Sequence, residues 1–131
     1  MIDTHAHIYV QQFKDDLNDV VERAREAGLE HIYMPNIDHT SIDDMLEVEE
    51  KYKGFCTAAM GLHPCSVKKD FEKELYIVEN WLSKREFVAI GEMGTDLYWD
   101  KTLIDQQVEA FKIQVQWAKD YEKPIIIHCR E

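Results

Sequence analysis

Four imidazoles and one carboxylate are the residues of this chain best suited to chemistry: His5, His7, His63, His128 and Glu92. His5 and His7 are two residues apart in the stretch Met1–Ile8, where Ile2, Thr4 and Ile8 favour extended backbone. Residues two apart on a strand share a face, so the two rings address one point. Neutral imidazole nitrogen binds zinc and similar ions at about 2.0–2.1 Å, and two such rings make half a metal site. Glu92 follows Ile90-Gly91 and precedes Met93-Gly94. A carboxylate has two oxygens and can hold one ion with each, while flanking glycines let the backbone turn tightly beside a ligand. His128 ends the run Ile125-Ile126-Ile127, an uncommon place for an imidazole without a task. His63 precedes Pro64 and serves equally well as a loop cap or a substrate contact. Arg130 offers bidentate donors to a phosphate or carboxylate, and Asp96 either orients a metal ligand or caps its own turn.

The elements that must position these residues are legible as periodicities. Phe13, Leu17, Val20, Val21 and Ala24 recur at helical spacing, and Gly28 is placed to stop that helix. His31–Met34 reads as a strand closed by Pro35. Ser41-Ile42-Asp43-Asp44 reads as an N-cap ahead of a stripe of Ile42, Met45, Val48 and Tyr52. Phe55–Leu62 is an apolar run with little alternation, as expected of a strand buried on both faces. Phe71, Leu75, Val78 and Leu82 mark a third helix, and Phe87–Ile90 a fourth strand running into the Gly91–Asp96 segment. A fourth helix carries Ile104, Val108, Phe111, Val115 and Ala118, and Pro124–Glu131 is the last strand.

Strands therefore alternate with helices as β-α-β-α-β-α-β-α-β. That order predicts an α/β fold of about five parallel strands and four helices, joined by right-handed crossovers. Sites in such sheets lie at the carboxyl ends of the strands. His5 and His7, His63, Glu92 and His128 fall at the ends of strands one, three, four and five, so a single rim collects them. Imidazoles and a carboxylate on one rim are the ligand set for one or two catalytic divalent ions, which acidify water and clamp phosphate or acyl oxygens.

Composition narrows the class. At 131 residues the chain reads as a single domain spanning 1–131 with a real core. The formal net charge of −11 argues against broad electrostatic binding to nucleic acid. It still permits an enzyme that grips one or two phosphates through metal ions. Cys56, Cys65 and Cys129 are odd in number and widely spaced, which fits free thiols in a reducing compartment. Asp3 and two histidines interrupt any apolar N-terminal run, and no segment approaches a membrane span, so a cytoplasmic location without membrane contact is expected.

Four segments carry a family resemblance: Asp3-Thr4-His5-Ala6-His7, Gly61-Leu62-His63-Pro64, Ile90–Asp96 and Ile126-Ile127-His128-Cys129-Arg130-Glu131. In order and spacing they resemble the successive signatures of the TatD family. The resemblance implies a TIM-like (β/α) barrel of the metal-dependent hydrolase superfamily, of which these residues form the N-terminal portion. It also implies deoxyribonuclease activity dependent on magnesium, manganese or zinc, with DNA as substrate. By position, His5 and His7 would bind one ion, Glu92 would bridge as the central catalytic group, and His128 would bind the second. His63 and Arg130 would contact substrate.

The chain departs from the family pattern in two places, having Cys65 where a second His often follows His-Pro, and Gly94-Thr95-Asp96-Leu97 where Gly-Leu-Asp-Tyr is usual. Family members are roughly twice as long and add a His and an Asp from later strands. Five strands of eight would also leave apolar edges at Met1–Ile8 and Ile125–Cys129, which aggregate or recruit another chain. Either the remaining strands belong to a longer protein, then, or the chain associates to close its sheet. Two other readings remain. One is an amidohydrolase acting on amides or esters, although many of these carry a lysine where Glu92 stands. The other is a catalytically incomplete module that binds metal.

Overall fold

Parallel strands buried on both faces need apolar runs, and amphipathic helices must cover them; both patterns translate into structure here. The computed structural model describes residues 1–131. Its strands are β1 (Ile2–Asp3), β2 (His31–Pro35), β3 (Cys56–Ala59), β4 (Ile90–Asp96) and β5 (Ile125–Arg130). Its helices are α1 (Leu17–Glu26), α2 (Ile42–Lys51), α3 (Phe71–Lys84) and α4 (Ile104–Asp120). The strands pair in parallel as β1-β2-β3 and β4-β5, and a parallel bridge between Met60 and Ile90 joins the two sheets. Five parallel strands in sequence order with four crossover helices form an arc of a (β/α) barrel, as expected. Val21, Met34, Met45, Met60, Ile90 and Met93 are fully buried between strands and helices. No helix is long and apolar enough to cross a membrane.

Where the arc bends between β3 and β4, the backbones touch. A Cβ on Gly61 would lie 2.7 Å from the Gly91 carbonyl carbon, and one on Gly91 would lie 2.7 Å from Ile126 Cβ. Three strands approach here at a distance only glycine allows. Asn36, fully buried, ties the same junction. Its amide N–H donates to the Ala59 and Gly91 carbonyls, its carbonyl accepts from Glu92 N, and its side chain donates to the Gly61 carbonyl at 3.0 Å.

Several boundaries differ from expectation, each for a physical reason. The β1 ladder covers two residues only, because the Asp3 carboxylate accepts the His5 N–H at 3.0 Å. His5 and His7 thus lie in a loop beyond the strand, and one further bond, Ala6 N to Tyr33 O, keeps it alongside β2. The fourth strand begins at Ile90, where β5 becomes available as partner, so Glu92 sits inside β4 and not in a loop after it. The Phe13 end of the first helix is a separate 3-10 turn over Gln11–Phe13. Ser41 stands at the N-cap of α2 without capping it; its hydroxyl accepts from Ile37 N and Asp38 N and donates to Asn36.

The largest correction concerns α4. Of its expected stripe, Ile104, Val108, Phe111 and Val115 are only half-buried and Ala118 alone is buried, while Gln107, Ala110, Gln114 and Trp117 make up the rest of the buried face. The two glutamines act as surrogate backbone. Gln107 takes the Asp96 N–H at 2.8 Å and donates to the Asp96 carbonyl at 3.0 Å. Gln114 does the same for Leu62, at 2.8 and 3.3 Å. Each satisfies strand-end groups that would otherwise be buried without partners, which is costly. On the far side of β5, Ile125 and Ile127 are exposed.

Candidate metal centre

Glu92 is the hub of the rim. Inside β4 its side chain is 2 % exposed, and rings from three other segments surround it. Oε2 lies 3.0 Å from His5 Nε2 and 2.8 Å from His7 Nε2. Oε1 lies 2.9 Å from His128 Nδ1 and 3.6 Å from His63 Nε2. Burial opposes ionisation of this carboxyl. With no cation present, the His7 contact and the charges of His63, His5 and His7 outweigh it and hold the pKa at about 2.

The proton inventory of this cluster fits divalent cations between its members. Tyr9 OH donates to the Pro35 carbonyl, so it accepts from His7 Nδ1 at 3.0 Å. That places the His7 proton on Nδ1 and leaves a lone pair on Nε2, aimed at an anionic oxygen. Glu92 Oε2 is buried and takes no well-formed hydrogen bond. Two lone-pair atoms facing each other at 2.8 Å repel unless a cation lies between them. Ligands each about 2.1 Å from an ion and at right angles stand roughly 3.0 Å apart, which matches these separations. His5, His7 and Glu92 bring ligand atoms together at one point; Glu92 and His128 do so at another, with His63 alongside.

His128 repeats the pattern on the other oxygen. Its Nδ1 faces Glu92 and its Nε2 faces Asp96 Oδ2 at 2.8 Å. A neutral ring has one proton for two carboxylates. Placed on Nε2 toward Asp96, that proton leaves the Nδ1 lone pair for a cation at Glu92. Burial opposes ionisation of Asp96, but His128 and the Tyr98 N–H hold its carboxyl below the usual range. Asp96→Ala is therefore expected to lower divalent-cation affinity about 10–100-fold, as loss of an outer-shell partner does. Calorimetric titration with manganese measures this, and unchanged affinity would show that Asp96 only closes its turn.

His63 is built differently. Its Nδ1 accepts the Cys65 N–H at 3.0 Å, which puts the proton on Nε2. Burial lowers its pKa and favours the neutral ring. A neutral His63 presents an N–H donor to the centre rather than a lone pair. Arg130 lies two residues beyond His128 on β5, its guanidinium over the Tyr98 ring.

The structure thus gathers His5, His7, His63, Glu92 and His128, and sets Arg130 on the adjoining rim. Reading the sequence missed Tyr9, Asn36 and Gln107. Tyr9 had a signal: the spacing His5, His7, Tyr9 would put it on their side of an extended chain, although a turn through Ile8 and Tyr9 brings it there instead.

Parallel βα units that gather imidazoles and a carboxylate on one rim define the class of metal-dependent hydrolase barrels. Residues 2–131 match the family model of TatD related DNases, and the chain belongs to that family. It is 39% identical over 131 residues to the uncharacterized metal-dependent hydrolase YabD of Bacillus subtilis strain 168, covering 100% of this chain and 51% of that protein. It is 33% identical over 131 residues to the 3'-5' ssDNA/RNA exonuclease TatD of Edwardsiella piscicida, covering 100% and 50%. Among solved structures, the TatD homologue YjjV of Escherichia coli K12 superposes with a TM-score of 0.90 at 32% identity, over 100% of this chain and 51% of that one. The chain spans about half the length of the relatives it matches.

Proposed function

We propose that these residues form the catalytic rim of a protein that hydrolyses DNA phosphodiester bonds, with His5, His7, Glu92 and His128 holding one or two divalent cations. The observation that carries this reading is Glu92, whose two buried oxygens each face imidazole nitrogen from other segments. Cations held there supply Lewis acidity, acidifying water and drawing charge from phosphodiester oxygens. The protein's own groups do the rest. Glu92 stays ionised across the neutral range, Tyr9 and Asp96 fix the protons of His7 and His128, and His63 Nε2–H donates to a phosphate oxygen. Arg130 steers the phosphate by charge. The imidazole-rich ligand set suits zinc better than magnesium or manganese, which prefer oxygen ligands.

The test compares phosphodiester, amide and ester substrates with the whole protein under one metal condition at a time. Cleavage of an oligodeoxynucleotide that stops with chelator and returns with added cation is the expected result. Amide or ester cleavage without phosphodiester cleavage would move the reading to an amidohydrolase. Stoichiometric cation binding with no turnover would leave a metal-binding module.

A further inference from the structure

Beside the metal centre, at the carboxyl ends of β4 and β5, stand exposed aromatic rings that the centre does not use. Trp99 is 74% exposed and Tyr98 53% exposed. They are organised: the two rings meet edge to face with centroids 4.7 Å apart. The Arg130 guanidinium lies 3.7 Å from the Tyr98 centroid and 6.0 Å from that of Trp99. Leu97 N donates to the Arg130 carbonyl at 2.8 Å. Tyr98 N donates to Asp96 Oδ1 at 3.0 Å, and the other Asp96 oxygen holds His128. The aromatic group is therefore tied to the centre through a single carboxylate. Trp99 also walls a cleft of about 180 Å³ that reaches Asp96 and includes Lys68. Asp100 lines the same cleft, its carboxylate engaged by Thr102.

We propose that Trp99, Tyr98 and Arg130 form a stacking site for an unpaired base of single-stranded DNA. The inference rests on the DNA-hydrolase reading for its substrate. Every base has a π-face, and stacking on an aromatic ring needs no charge. That matters on a chain of net charge −11, where few phosphates can be neutralised. The guanidinium covers Tyr98, so the base lies on Trp99, while Arg130 and Lys68 take flanking phosphates. Bases inside a duplex are already stacked and cannot use Trp99, so the site admits single-stranded ends. With two cationic contacts, log affinity should fall with log salt with a slope of only about −1.4.

The experiment is fluorescence anisotropy of a labelled, cleavage-resistant ten-nucleotide oligo-dT with the whole, metal-loaded protein. Trp99→Ala is expected to weaken binding about tenfold or more, the scale of one lost base stack. Trp99→Phe should retain it, and the same oligonucleotide in a duplex should bind more weakly than the free strand. Binding by Trp99→Ala equal to the unsubstituted protein, or equal affinity for duplex and single strand, overturns the stacking site. Hydrolysis of bis(4-nitrophenyl) phosphate by the unsubstituted protein separates the two readings. Its absence beside Trp99-dependent binding defeats the hydrolase reading alone; its presence beside Trp99-independent binding defeats the stacking site alone.

Discussion

Replacing Glu92 by alanine is expected to abolish metal-supported hydrolysis by the whole protein. Cation affinity should fall well beyond the roughly 10–100-fold that an outer-shell partner costs. The reason is that one carboxylate serves both halves of the cluster. Its removal leaves four imidazoles facing a space with no anion, and two cations bound there would lose their shared neutralising charge. Glu92→Gln separates charge from shape, since the amide nearly preserves volume and so should keep the fold while losing the cation. The carboxyl pKa is depressed in the folded protein. Its contribution to stability without metal is therefore present above the unfolded value of about 4.3. It is lost as pH falls toward about 2. Calorimetric titration and turnover on one preparation check the prediction. Near-normal turnover by Glu92→Ala with cation present would sink the bridging role.

Gly94→Ala should be the most destabilising small substitution in the chain, at about 3 kcal/mol or more. Gly94 has φ +144° and pairs in register with His128. A Cβ there would lie 1.9 Å from the His128 carbonyl oxygen and 2.9 Å from its carbonyl carbon. Neither contact can be relieved by a side-chain rotation, because both atoms are backbone. The β4–β5 ladder must part or shift, and His128 leaves Glu92 with it. Chemical denaturation and cation titration should therefore fail together in this variant. A stability within about 0.5 kcal/mol of the unsubstituted protein would mean that the two strands slide freely past this point.

Element types and order were legible because strands buried on both faces must be apolar, and because the α1 and α3 stripes follow a helical period. What periodicity hid was the work of polar groups inside the fold. Gln107 and Gln114 face inward on α4 because they replace missing ladder partners, and no hydropathy pattern assigns a glutamine that role. The β4 boundary was displaced because Gly91-Glu92-Met93-Gly94 looks like a loop until β5 arrives to pair with it. The His5/His7 pair does converge, although an Asp3 side-chain bond directs it and not a strand ladder. The gathering of imidazoles around Glu92 was readable from the order of elements, although His5 and His7 lie in a loop and Glu92 lies within β4. The protons of His7, His63 and His128 were not, since they depend on Tyr9, a Cys65 amide and Asp96.

Glu92 also joins segments far apart in the chain, meeting rings from positions 5, 7, 63 and 128. Loop closure between such distant segments comes late in folding, after the local βα units have formed. No intermediate lacking β1 or β5 can present the full set of rings. A cation that binds only the finished arrangement would act as a thermodynamic latch, adding about 2.7 kcal/mol at a hundred times its dissociation constant. Cellular supply of that ion would then govern how long the protein escapes proteolysis, quite apart from any reaction it supports.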